Sequence, residues 1–222
     1  MVFLLALACA APTPSPTPSS IPTLTPRPCA AVTPMNGCTA APSPPAPLPG
    51  PGQELLAGFY TQPDFEPPVS FRVGPGWTTV QQALGFFDIQ DDPGSLDVVA
   101  VQFTRATGFD TAEEAAADIE GRANLAVGER KTVTVNSFSG GITGIRLVVD
   151  TTDAADSDPI IFRPVLNTPA GPLSIGSGRR LQIHLFTISD GVLAILVGGS
   201  IAEWSRTVRL SKPVLESTVV AD

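Results

Sequence analysis

The alternation of hydrophobic and polar positions divides the chain into unlike parts. Residues 2–8 form an unbroken apolar run of Val, Phe, Leu and Ala, and residues 10–52 show no periodicity. Beyond them period two dominates. Val69, Phe71 and Val73 alternate with Ser70 and Arg72, which predicts a half-buried strand broken by Gly74-Pro75-Gly76 before Trp77. Residues 84–89 form a second apolar stretch, and Asp91-Asp92-Pro93-Gly94 reads as a turn. Residues 96–103 are apolar on both faces, as in a central strand. The period then lengthens. Thr111-Ala112-Glu113-Glu114 is a capping box, and Ala112, Ala115, Ile119, Ala123 and Ala126 form one helical stripe that Gly128 can stop.

Strands resume at Val133 and Val135, turn at Gly140-Gly141, and continue through Ile145, Leu147 and Val149. Residues 150–158 read as an acidic loop. Leu181, Ile183 and Leu185 share a strand face, and Ser189-Asp190-Gly191 before the apolar run 192–197 is a strong hairpin signal. A second capping box at Ser200-Ile201-Ala202-Glu203 opens a last helix, with Ile201, Trp204 and Val208 on its apolar face and Pro213 ending or kinking it. The order is strands, helix, strands, helix. It predicts an α+β domain, a mostly antiparallel sheet with helices packed against it.

Composition sharpens the division at residue 53. Residues 1–52 carry fourteen of the 24 prolines, no Asp or Glu, and Arg27 as their basic residue. Residues 53–222 hold all 21 acidic residues and all but one of the 13 basic ones, a net charge of −9. A domain of this size buries roughly 70% of the surface its unfolded chain exposes, enough for one ordinary core. The acidic balance argues against a nucleic-acid partner, because Arg130-Lys131 and Arg179-Arg180 are too small to displace phosphate counterions.

The apolar run is too short to cross a membrane, which takes about 20 residues. It reads as the core of a secretory signal over residues 1–8. Leu5-Ala6-Leu7-Ala8-Cys9 resembles a bacterial lipobox, with Ala6 where Leu is usual and no Lys or Arg ahead of the run. That resemblance implies cleavage before Cys9 and acylation of its thiol. Lipobox processing places a diacylglycerol and palmitate-type acyl chains on one residue, and two chains give the firm membrane hold that one does not. Cleavage at Ala6-Leu7-Ala8 instead would give a secreted protein. Residues 9–52, the lipidated cysteine and a Pro/Thr/Ser-rich linker, cannot form a core and favour extended polyproline II. At full extension this linker reaches roughly 130 Å. Cys29 and Cys38 can pair outside the reducing cytosol, closing a small loop.

Four pieces in order resemble PsbP-like domains, particularly those of bacterial cell-envelope lipoproteins. They are the Phe71-Arg72-Val73 strand running into Pro75-Gly76-Trp77, the mid-chain helix before a Gly-containing hairpin, the two long strands joined at Asp190-Gly191, and the closing helix with Pro213-Val214-Leu215-Glu216-Ser217. The resemblance covers residues 57–222 and implies a sandwich of antiparallel sheet between helices. It implies docking to envelope or membrane assemblies rather than catalysis, and supplies no catalytic residue. Residues 151–178 are long for the pattern.

Candidate chemistry is sparse. His184 is the single histidine, on the polar side of its strand with Arg180 and Gln182, and is expected at a surface or strand edge. It lacks the second His or Cys of a zinc set and the Gly-x-Ser-x-Gly turn of a hydrolase. Asp150, Asp153, Asp156 and Asp158 crowd one segment, but their spacing fits no EF-hand loop and a solvated loop is expected. Gly176-Ser177-Gly178 precedes a strand rather than a helix, which fits a turn and not a phosphate cradle. Trp77 and Trp204 are expected in the core. No cofactor, metal site or catalytic residue is expected. The expected function is a non-enzymatic protein-interaction module anchored to the bacterial cell membrane. The alternative is a lipoprotein that binds a small or lipid-like ligand between sheet and helix, and this alternative requires an apolar cavity there.

Overall fold

The computed structural model describes residues 44–83, 85–95, 97–155 and 159–221. The signal segment, Cys9, Cys29, Cys38, Asp156 and Asp158 lie outside the described residues. Among the described residues, fifteen strands and two helices follow one another. The first strands are β1 (Ala46–Pro47), β2 (Glu54–Leu55), β3 (Gly58–Gln62), β4 (Val69–Val73), β5 (Trp77–Ala83), β6 (Phe86–Asp91) and β7 (Val99–Ala106). Helix α1 (Ala112–Glu120) is followed by β8 (Leu125–Val127), β9 (Lys131–Ser137), β10 (Gly140–Thr151), β11 (Phe162–Thr168) and β12 (Gly171–Gly176). Then come β13 (Arg179–Ile188), β14 (Gly191–Ser200), α2 (Trp204–Ser217) and β15 (Val219–Val220).

The fold is α+β. Its main sheet runs β1-β3-β4-β15-β9-β10-β13-β14-β7-β6-β5-β2, with β8 also paired to β10, while β11 and β12 form a separate hairpin. Pairing is largely antiparallel, but β1 lies parallel to β3 and β15 parallel to β9. Phe71 of β4 stacks on Phe87 of β6 and Phe103 of β7 with ring centroids 5.8 and 5.1 Å apart. Strands so distant in the order meet only if the sheet curls over its own inner face.

Alternation then sorts the long strands into two cores. Leu193, Ile195 and Val197 join the Phe cluster inside the curl, with Val214 of α2. Leu181, Ile183, Leu185, Ala194 and Leu196 point outward beneath α1 and the β11–β12 hairpin. A strand covered on both faces must be apolar at nearly every position, and β14 is.

The first helix forms where its sequence signature predicts. Thr111 Oγ1 accepts from the Glu114 amide, and the Glu114 carboxylate accepts from the Thr111 amide. It ends earlier than the alanine stripe suggested, at Gly121 rather than Gly128. β9 covers β10 only as far as Arg146, and β8 pairs with Val149, Asp150 and Thr151. The backbone groups at that end of β10 need partners, and this outweighs about two more helical turns.

Other expectations are corrected. The folded part begins inside the run read as linker: β1 is in the sheet and Leu48 is buried. The turn before β10 is Phe138-Ser139, with Gly140 opening the strand at φ 137°. The second capping box does not form, because Ser200 ends β14 and Glu203 stands at the N-cap without a side-chain capping bond. Of the two alternatives for Pro213, ending the helix is the one overturned, since Pro213 lies inside α2. Ile201 and Val208 are exposed, and the buried face of α2 is Thr207, Ser211 and Val214. The reason is close approach: a Cβ on Gly199 would sit 2.1 Å from Thr207 Oγ1, so only small side chains fit where α2 crosses β14. Both hydroxyls satisfy themselves on the preceding turn, Thr207 donating to Glu203 O and Ser211 to Thr207 O.

Candidate functional site

His184 is neither at a surface nor at an edge. Strand β13 lies between β10 and β14, and His184 is 8% exposed on the inner face of the curl. Burial, reinforced by the positive charge of Arg146, pushes its pKa down from 6.5 to about 4. The ring is therefore neutral at pH 7. Gln182 Nε2 lies 2.7 Å from His184 Nε2, so the amide donates and the ring proton sits on Nδ1.

Cross-strand register explains the neighbourhood. Arg146 is directly opposite both His184 and Lys131, and His184 is opposite Ile195. Residues so paired project from one face, so Lys131, Arg146, His184 and Ile195 form a row across four strands. Two residue pairs along, on the same face, Gly144 faces Phe186, and a Cβ there would meet Phe186 Cδ1 at 2.4 Å. The missing side chain lets the Phe186 ring lie flat against the sheet.

Helix α2 crosses above this row without closing on it. Between them is a groove of about 510 Å³, walled by Val135, Phe186, Ile195, Val208 and Leu215 and floored by Gln182, His184 and Arg146. Lys212 and Glu216, 3.7 Å apart and mostly exposed, stand at its mouth. The volume falls within the range of about 300–1,000 Å³ common to small-molecule sites. Such a groove holds a molecule by apolar contact and orients it by a few polar groups. Among the described lining residues Ser211 donates to Thr207 O rather than to His184, so it is not paired there with a base.

A second cavity of about 390 Å³ lies between the β11–β12 hairpin and the outer face, lined in part by Phe86, Gln102, Phe162, Arg179 and Arg180. Its cations are engaged. Arg180 makes a two-pronged pair with Asp150 at 2.6 and 2.8 Å, and Arg179 donates to Val98 O. The cationic character that could orient a ligand is thus already taken up there.

The remaining sequence candidates separate. Asp150 is at the end of a strand rather than in a loop, and Asp153 is paired with Arg163 at 2.8 Å, which holds the Asp153 carboxyl below its usual range. Among the described residues no three His, Cys, Asp or Glu side chains gather as metal ligands. Arg130 bonds Glu113 and Glu120, tying α1 to the chain beyond β8. Trp77 is in the core, whereas Trp204 is half-buried with the Arg180 guanidinium 5.6 Å from its ring. Gly176 ends β12, and Ser177-Gly178 form the turn before β13.

Sequence reasoning missed Arg146 altogether. The signal that could have found it is Arg146, Gln182 and His184 on otherwise apolar central strands.

No protein-family model matches the chain, and no curated protein matches it. Among solved structures it is similar to the solution structure of cyanobacterial PsbP (CyanoP) from Synechocystis sp. PCC 6803, with 11% identity, a TM-score of 0.39, and coverage of 79% of this chain and 99% of that one.

Proposed function

We propose that the chain is an exported, non-enzymatic lipoprotein of the bacterial envelope, tethered at Cys9, whose PsbP-like domain acts by binding a small or lipid-like molecule beneath α2. The anchor rests on the lipobox-like Leu5-Ala6-Leu7-Ala8-Cys9, and the family on the order of its sequence motifs. The observation that carries the binding role is the open groove between α2 and the inner face, apolar on its walls and polar on its floor.

Two measurements test this. Changing Cys9 to Ser should move the protein from membranes to the soluble fraction; retention as firm as the parent's overturns the anchor. Native mass spectrometry of the full chain carrying Cys9→Ser should show a co-purifying species that is lost when Val208→Trp fills the groove mouth. A ligand-free spectrum, with no uptake of added amphiphiles, overturns the binding role.

A protein partner in the envelope is the second reading. It is favoured by Ile160 and Phe162, which are 55% and 65% exposed. Both flank Gly176, so they form one apolar spot. Crosslinking in envelope extract should then capture one partner that Phe162→Ser abolishes.

A further inference from the structure

Arg146 is half-buried on the inner face and lines the groove floor. In a chain of net charge −8, arginines in such positions find acids. Arg105, Arg122, Arg163, Arg180 and Arg206, all half-buried, each reach a carboxylate. Among the described half-buried arginines only Arg146 has neither an ion pair nor a hydrogen bond to protein. Its near neighbours are the neutral His184 and, in register on the same face, Lys131.

The other charges nearby do not neutralise it. Glu216 is the one carboxylate among the groove-lining residues, and it stands at the mouth beside Lys212. An exposed pair of that kind is worth little. The groove is thus locally cationic within an acidic molecule, a pattern that draws an anion to one place. Val135, Ile195, Val208 and Leu215 on its walls offer contact to an apolar body. A guanidinium presents a planar fork that fits carboxylate or phosphate oxygens two at a time.

We propose that the groove binds an amphiphile with one compact anionic head, carboxylate or phosphate, and a short apolar body, and that Arg146 takes the head. This inference rests on the binding role proposed above. The head sits on Arg146 beside the His184–Gln182 pair. The apolar body lies along Val135, Ile195, Val208 and Leu215, and Lys212 closes over the mouth.

Calorimetric titration of the full chain carrying Cys9→Ser tests it, with four ten-carbon probes: decanoate, decyl phosphate, decanol and decyltrimethylammonium. The two anions should bind, decanol should bind more weakly, and the cation least. The stronger anion identifies the head group. Arg146→Gln should weaken anion binding ~10-fold or more and leave decanol unchanged, while Arg146→Lys keeps most of the anion affinity. Arg146 has no protein partner to lose, so the Gln variant should fold. Should it not, salt reads the same charge in the parent: anion binding falls with ionic strength and decanol binding does not. Equal binding of decanoate and decanol, insensitive to Arg146→Gln or salt, overturns the anionic head and leaves the groove as an apolar site. Binding of none of the probes overturns the groove reading itself.

Discussion

The two helices cover opposite faces of one sheet in opposite ways. α1 buries Ala112, Ala115, Ala116 and Ile119 in a dry core and is capped by its own side chains. α2 has no side-chain cap, buries Thr207 against the Gly199 backbone together with Ser211 and Val214, and leaves Val208 exposed. α1 is therefore held by apolar burial, whereas α2 combines the burial of Val214 with a close fit at Gly199, and that fit leaves a gap over His184. A helix whose apolar side chains are not all used for its own packing is one that can lend them to something else.

The contrast can be broken at four points. Ile119→Ala should cost about 4 kcal/mol in urea unfolding, since the side chain is fully buried. Val208→Ala on α2 should change stability by less than about 0.5 kcal/mol. A similar loss at both sites would mean that α2 packs as α1 does.

The next effect is in pH. His184 has a folded pKa of about 4 against 6.5 for the free side chain. Between those values the unfolded chain takes up a proton that the folded chain refuses. Stability from keeping the ring neutral is thus complete above pH 6.5 and is lost as pH falls toward 4, about 3 kcal/mol in all. Denaturant titrations of His184→Gln should show a flatter profile in that window; an unchanged profile would place the titration elsewhere.

Gly199→Ala should cost about 2 kcal/mol, because the new methyl meets Thr207. Pairing it with Thr207→Ser, which removes one clashing methyl, should recover part of the loss. Least of all, Thr111→Ala should cost about 1 kcal/mol as a lost cap, and Glu203→Ala next to nothing. Equal costs would show that Glu203 caps α2 in solution.

What could be read from the sequence follows the same contrast. α1 was legible because its signals are local: Thr111 and Glu114 lie within one turn, and the alanines repeat at helical spacing. Val69-Phe71-Val73 and the Asp190-Gly191 hairpin were local too. The buried face of α2 was not, because Thr207 is inside only where Gly199 lies beneath it, a relation between two elements. His184 was misplaced for that reason, since its polar strand face is inside only once the sheet has curled. The β11–β12 hairpin was hidden by Pro164 and by the break in register between Pro164 and Leu166, which disturb strict alternation. Arg146 acquires meaning only from what does not reach it.

The strands β1 and β2 occupy the two ends of the main sheet, yet only residues 48–53 separate them in the chain. One short proline-rich ribbon therefore covers both edges, and Pro47 has no N–H to offer a further strand. Proteolytic history would then decide how the domain behaves at high protein concentration. A cut upstream of residue 44 leaves the domain with its edges still covered. A cut beyond Leu55 uncovers both ends at once, and the same domain becomes a template on which copies can add to one another.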